Sequence, residues 1–167
     1  MPETSVTARP RWRTVDLAYT ALFTVLLAVC AWITVPLTVP FTLQTFGVFA
    51  ALGVLGGRRG TYAVAAYLLL GTTGGYILGF LASALLYWAV TARFGSRPGV
   101  MAAAMVLGLV VCYAFGTAWF LAAYARTTGP VGLWTALGLC VFPFIVPDLA
   151  KLALALALSR RLARYLK

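Results

Sequence analysis

Asp148 and Lys151 are the residues of this chain best placed to do chemistry. They stand three apart in Pro147-Asp-Leu-Ala-Lys151, between Phe142-Pro-Phe-Ile-Val146 and the apolar run from Leu152 to Leu158. On a helix that spacing puts an acid and a base on one face. The other two acidic residues sit elsewhere: Glu3 in a polar N-terminal stretch, and Asp16 beside basic residues. Ionisable groups at membrane depth are costly, so they face a cavity or one another and mark substrate paths. The pair is thus either a self-satisfied ion pair at a helix start or a polar grip inside a membrane cavity, and the second reading is favoured.

A second polar interruption is Thr34-Val-Pro-Leu-Thr-Val-Pro-Phe-Thr-Leu-Gln-Thr-Phe46, where Pro36 and Pro40 break the helical pattern. Extended backbone among apolar residues is tolerated at membrane depth only if protein covers it or it lines a cavity. Gly71-Thr-Thr-Gly-Gly75 is a third. Gathered in one pocket, Asp148 supplies acceptors, Lys151 a cation, and Gln44, Thr42 and their neighbours both donors and acceptors. Phe41, Phe46, Tyr76 and Phe144 supply apolar walls. Such a site suits a small amphiphile with polar N–H groups, an apolar body and an acid. No nucleophile–base pair and no paired carboxylates are present, so binding is indicated and catalysis is not.

The elements that must position these groups are membrane helices. Of 167 residues, 63% are apolar and only 10% charged, and the apolar runs are too long for a soluble core. The length allows about six spans of ~20 residues in one bundle. The net charge of +10 would suggest nucleic acid in a soluble protein, but the basic residues fall between the apolar runs, where topology explains them. Cys30, Cys112 and Cys140 each lie in an apolar run without ligand spacing, and His is absent, so core-filling thiols are expected and no metal site. No cleavage pattern of a signal peptide follows the first run. Gly-x-x-x-x-Gly-Lys-[Ser/Thr], the phosphate-binding loop of an ATPase, does not occur.

Residues 1–13 read as a disordered, basic cytoplasmic tail and residues 14–167 as one six-span domain. The spans are expected near Val15–Ile33, Phe46–Leu55, Thr61–Leu70, Tyr76–Ala92 and Val100–Tyr124, with the last from Pro147 to Arg160. Gly56-Gly-Arg-Arg-Gly60 reads as a tight turn, and Gly132–Phe142 as a short segment stopped by Pro143. With the N-terminus inside, Arg9, Arg11, Arg13, Arg58, Arg59, Arg93, Arg97, Arg160, Arg161, Arg164 and Lys167 are cytoplasmic, and Arg126 alone is outside. That bias requires an even number of spans and puts both termini in the cytoplasm. Spans 2 and 3, ~15 Å long each against a ~30 Å core, must be extended or tucked between neighbours. Gly53-xxx-Gly57, Gly71-xxx-Gly75 and Gly75-xxx-Gly79 permit close helix packing. Trp12, Trp32, Trp88 and Trp134 lie near span ends, as interfacial anchors do.

Five stretches in order resemble the BioY family, the biotin-specific S component of energy-coupling-factor transporters. They are Val39-Pro-Phe-Thr-Leu-Gln-Thr-Phe46, Leu55-Gly-Gly-Arg-Arg-Gly60, Tyr67-Leu-Leu-Leu-Gly71, Thr73-Gly-Gly-Tyr-Ile-Leu-Gly-Phe80 and Phe142-Pro-Phe…Pro-Asp-Leu-Ala-Lys151. The resemblance implies an all-α six-helix bundle in the cell membrane that captures biotin from the outer side. It further implies delivery with a separate T subunit and two ATPases; biotin is the transported ligand, and no cofactor is called for. By the same resemblance Asp148 would hold or order the ureido N–H groups, and Lys151 would meet the carboxylate or balance Asp148. Gln44, Thr42, Phe41, Gly75 and Tyr76 would line the pocket, and Ala18 and Ala21 would face the T subunit, although Ala-x-x-x-Ala spacing is absent there. In one respect the chain departs from the family: only Thr72 separates its third and fourth motifs, where relatives carry a further loop. A more open pocket is the expectation.

Two rivals remain. One is a self-sufficient carrier of biotin or a related small carboxylate, which would accumulate ligand without ATPases. The other is a structural membrane protein, in which replacing Asp148 and Lys151 together by leucine leaves the fold intact or firmer.

Overall fold

A computed structural model describes residues 12–36, 41–70, 76–127 and 129–162. Six helices and a minimal β-hairpin follow one another: α1 (Thr14–Trp32), β1 (Thr34–Val35), β2 (Phe41–Thr42), α2 (Gln44–Leu70), α3 (Tyr76–Phe94), α4 (Pro98–Thr127), α5 (Leu133–Cys140) and α6 (Phe142–Leu162). Of the connection that holds Pro36 and Pro40, the two ends are extended and pair antiparallel, with Thr34 opposite Thr42 and Val35 opposite Phe41; residues 37–40 lie outside the described residues.

α2 is two helices. Gly56, at φ 79° and ψ 165°, interrupts it in a region that only glycine enters readily. Were 44–70 straight, Gln44 and Tyr67 would stand ~35 Å apart along the axis. Instead the Gln44 side-chain amide donates to the Tyr67 hydroxyl at 2.7 Å, so 57–70 folds back along 44–55. The halves touch: a Cβ on Gly60 would lie 2.7 Å from the Leu52 Cα. The turn expected over Gly56–Gly60 is thus made by one residue, and 57–60 are helical.

Contact pairs fix the directions. Thr61 donates to the Ala84 carbonyl, and Gly57 abuts Trp88, so 57–70 and α3 are antiparallel. Gly79 abuts Cys112 and Ser83 bonds the Gly108 carbonyl, which makes α3 and α4 antiparallel. Lys151 reaches Thr42 and Ser159 abuts Gly53, so α6 runs parallel to 44–55. Asp16 pairs with Arg59 and Thr24 with Ala63, which sets α1 parallel to 57–70. One end of the bundle therefore collects the start of α1, the Gly56 turn, the end of α3, the start of α4 and the end of α6. Arg13, Arg58, Arg59, Arg93, Arg97, Arg160 and Arg161 lie there, while Arg126 is at the far end of α4.

Taking α5 and α6 together as Leu133–Leu162, that stretch, Thr14–Trp32 and Pro98–Arg126 are long and apolar enough to cross a membrane; Leu78–Phe94 is a shorter apolar helix. The halves of α2, about 18 and 21 Å long, fall short of a ~30 Å core. They are lengthened beyond the sequence-based limits and enclosed: Val48, Ala50, Ala51, Leu52, Ala63 and Val64 have no exposed surface. Close approach between helices rests on small residues, as Gly53-xxx-Gly57 suggests. Gly53 meets Ser159 of α6 and Gly57 meets the backbone of α3, so one motif serves two neighbours. Cys30, Cys112 and Cys140 are buried. Exposed apolar side chains such as Leu22, Val25, Val110 and Leu154 ring the bundle, where lipid takes the place of water.

Two boundaries differ from expectation. The helix break before α6 falls at Val141 (φ −124°, ψ −59°) and not at Pro143, because Pro143 occupies the first turn of α6, where no N–H is needed. Pro147 lies inside α6 and leaves the Pro143 carbonyl without a helical donor. At the other end of the chain, Trp12 and Arg13, assigned to the tail, pack on the bundle. Trp12 meets Tyr62 edge-on at 5.1 Å under Arg58, and the Arg13 N–H donates to the Asp16 carboxylate at the start of α1. Residues 1–11 lie outside the described residues.

Candidate functional site

α6 presents Asp148 and Lys151 to the interior, at 5% and 6% exposure, as their i, i+3 spacing on a helix start requires. The Lys151 ammonium donates to Asp148 Oδ1 at 2.9 Å and to the Thr42 carbonyl at 2.6 Å. That carbonyl is available because the β-hairpin ends there and helix α2 begins two residues later. The other carboxylate oxygen, Oδ2, accepts from the Tyr113 hydroxyl of α4 at 2.7 Å. On the far side of Thr42, its Oγ1 accepts from the Gln44 backbone N–H at 3.3 Å, and the Gln44 side chain continues to Tyr67.

A continuous polar chain therefore runs Tyr113–Asp148–Lys151–Thr42–Gln44–Tyr67 through four elements of an apolar bundle. Every charge in it has an opposite charge or an oriented dipole at hydrogen-bond distance, which offsets the cost of burial. Its members are acceptors (Asp148, the Thr42 carbonyl), a cation (Lys151) and groups that do both (the tyrosines, Gln44). A small polar ligand can enter by exchanging with these bonds without leaving a charge unpaired.

Of the residues selected on sequence, Asp148, Lys151, Gln44 and Thr42 come together here. Phe41 is in β2 and Tyr76 opens α3, where the backbone alone is described; Gly75 lies outside the described residues. The open-pocket expectation tied to Thr72 also falls on such residues. Ala18 and Ala21 lie exposed on α1, which contributes nothing to the chain of bonds. Tyr67 and Tyr113 were not selected. The available signal is their position: phenols in the interior of apolar helical runs, whose hydroxyls must find partners when buried.

These features define a multi-pass helical membrane protein with a buried polar site between α2, α4 and α6. A solved structure of the S-component for biotin from an ECF-type ABC transporter has the same fold, with a TM-score of 0.76 and 23% identity over 90% of this chain and 91% of that one. The model of the BioY family matches residues 3–74 and 69–167, two parts that overlap at residues 69–74. The chain belongs to the BioY family. A biotin transporter BioY of Thermotoga maritima is 35% identical, covering 86% of this chain and 92% of its own. A probable biotin transporter BioY of Pyrococcus horikoshii is 34% identical over 88% of this chain and 95% of its own. The Rhodobacter capsulatus biotin transporter BioY is 29% identical over 76% and 80%.

Proposed function

We propose that this chain is the membrane-embedded biotin-binding subunit of an uptake system, delivering its ligand with a separate T subunit and two ATPases, and that it carries out no chemical conversion. The observation that carries the reading is the polar chain from Tyr113 to Tyr67, centred on Asp148 and Lys151, in a member of a family whose relatives are named biotin transporters.

The spacing within the pair selects which end of biotin it meets. Asp148 and Lys151 are 2.9 Å apart and so address one end of a ligand. The ureido ring offers N–H donors and a carbonyl acceptor side by side, which suits an adjacent acceptor and cation. A carboxylate would suit Lys151 but meet repulsion from Asp148. We therefore read the ureido ring as the end of biotin that meets Asp148 and Lys151, with Gln44 and Thr42 beside it.

Orientation follows from charge. Seven arginines gather at the end where α1 starts and α6 finishes, so by the positive-inside rule that end is cytoplasmic, and with it both termini. Asp148 lies about 18 Å along α6 from Arg160, in the outer half of a ~30 Å core, so biotin enters from outside. The test is equilibrium binding of labelled biotin to the detergent-solubilised protein, with thermal stabilisation by excess biotin as the second readout. Absence of both rejects the proposal. Uptake by cells lacking T subunit and ATPases separates it from a self-sufficient carrier, which would accumulate biotin alone.

A further inference from the structure

Thr117 differs from six other hydroxyls in the helices of this bundle. Thr20, Thr24, Thr61, Ser83, Thr91 and Ser159 each return the hydroxyl to the carbonyl one turn back in their helix. Thr117 does not, and its Oγ1 has no hydrogen-bond partner among the described residues, although the residue is only 6% exposed. A buried hydroxyl without a partner is a cost to the ligand-free protein, and such groups in a folded protein call for a reason.

Its place in the fold supplies one. Thr117 is one turn beyond Tyr113 on α4 and ~40° round the helix from it, and Tyr113 is the residue that holds Asp148 Oδ2. Val106 and Val110 lie on nearly the same line of α4 as Thr117, within ~20°, and are 42% and 58% exposed. That line is exposed at Val106 and Val110 and covered at Thr117, on a helix that packs against α5 and α6 as well as α3. The hydroxyl is therefore buried on the side of α4 that carries Tyr113, one turn from the residue that holds Asp148 and toward the Arg126 end.

We propose that Thr117 is a ligand-binding residue, whose hydroxyl, buried and unpartnered one turn from Tyr113, donates to an sp2 oxygen of the bound molecule. Resting on the biotin reading above, this oxygen is either the ureido carbonyl or the carboxylate. Both are acceptors that a hydroxyl donor completes, and neither can be replaced there by an apolar contact without loss.

Thr117→Val keeps the shape and removes the hydroxyl, and it is measured on the full chain in detergent. Labelled biotin is expected to bind about five- to tenfold more weakly to it, as for loss of a neutral hydrogen bond, and Thr117→Ser to stay within about twofold of wild type. Without ligand, the valine variant is expected to melt no lower than wild type, because an unsatisfied group has been removed. Repeating the comparison with biotinol, which lacks the carboxylate, names the acceptor: a penalty that persists assigns the ureido carbonyl, and one that vanishes assigns the carboxylate. Thr117→Ser against Thr117→Ala gives the same hydroxyl comparison if the valine variant does not fold. Wild-type affinity without the hydroxyl, in a protein whose wild type binds biotin, overturns this inference and leaves the biotin reading standing. A wild type that fails to bind biotin overturns the biotin reading itself.

Discussion

The Lys151 ammonium and the Thr42 carbonyl lie 2.6 Å apart across 109 residues of chain. One side chain on the last helix thus fixes the end of the β-hairpin and the start of α2, while also neutralising Asp148. Fold and site share the same bonds, which makes it necessary to separate stability from binding in any variant.

Lys151→Ala leaves the Asp148 carboxylate buried without its cation. Breaking such a pair from one side costs about 3–5 kcal/mol, whereas replacing both partners by apolar residues is often neutral. Lys151→Ala is therefore expected to melt well below wild type, and Asp148→Leu with Lys151→Leu close to it. Neither is expected to bind biotin. Thermal unfolding in detergent beside a binding assay checks both parts; a double variant that still binds would remove the pair from the site.

The proposal that the ureido ring meets the pair makes a separate prediction. Asp148→Asn keeps the volume and removes the charge-assisted acceptor, so it is expected to weaken biotin by about tenfold or more. The methyl ester of biotin has the same ring and no free acid, and its loss is expected to be the same. A loss seen with the acid alone would move the carboxylate, and not the ring, to this end of the pocket.

Gly56 has open space around an added Cβ, yet its φ of 79° lies where a side chain is strained. Gly56→Ala is expected to cost about 1–3 kcal/mol through backbone conformation alone. The effect also reaches the site, because the Gly56 turn brings Gln44 to Tyr67. Thermal unfolding without ligand reads the first effect, and biotin affinity the second.

Much of this arrangement was legible in the sequence, for physical reasons that differ by residue. Asp148 and Lys151 stood out because charges are rare in apolar runs, and a spacing of three fixes them on one face. Gln44 and Thr42 were legible because the prolines forbid a helix just before them. Tyr67 and Tyr113 were not, since a phenol in a membrane helix reads equally as an interfacial anchor, and the choice depends on which neighbour its hydroxyl meets. The Gly56 turn was placed in the right stretch but spread over five residues, because Gly57-Arg-Arg-Gly60 has turn composition and only packing against Leu52 and α3 draws it into helix. At α6 the sequence alone reads Pro143 as a stop and Pro147 as a start, because a proline in a first helical turn and a break two residues upstream leave the same trace in composition.

Ala18 and Ala21 test the partner side of the proposal. With Leu22 (61% exposed), Val25 (59%) and Val29 (47%) they form an outward apolar stripe on α1, apart from the chain of bonds around Asp148. Lipid accepts any apolar side chain on such a face, but a helix of another subunit packs closely only on small ones. Ala18→Trp and Ala21→Trp are therefore expected to leave folding and biotin binding near wild type. In cells that also express T subunit and ATPases, the same changes are expected to lower biotin uptake at least about tenfold if close contact there is required, the equivalent of ~1.4 kcal/mol. Uptake at the wild-type rate would place the subunit contact on another face of the bundle, and loss of binding in detergent would show that the stripe supports the fold instead.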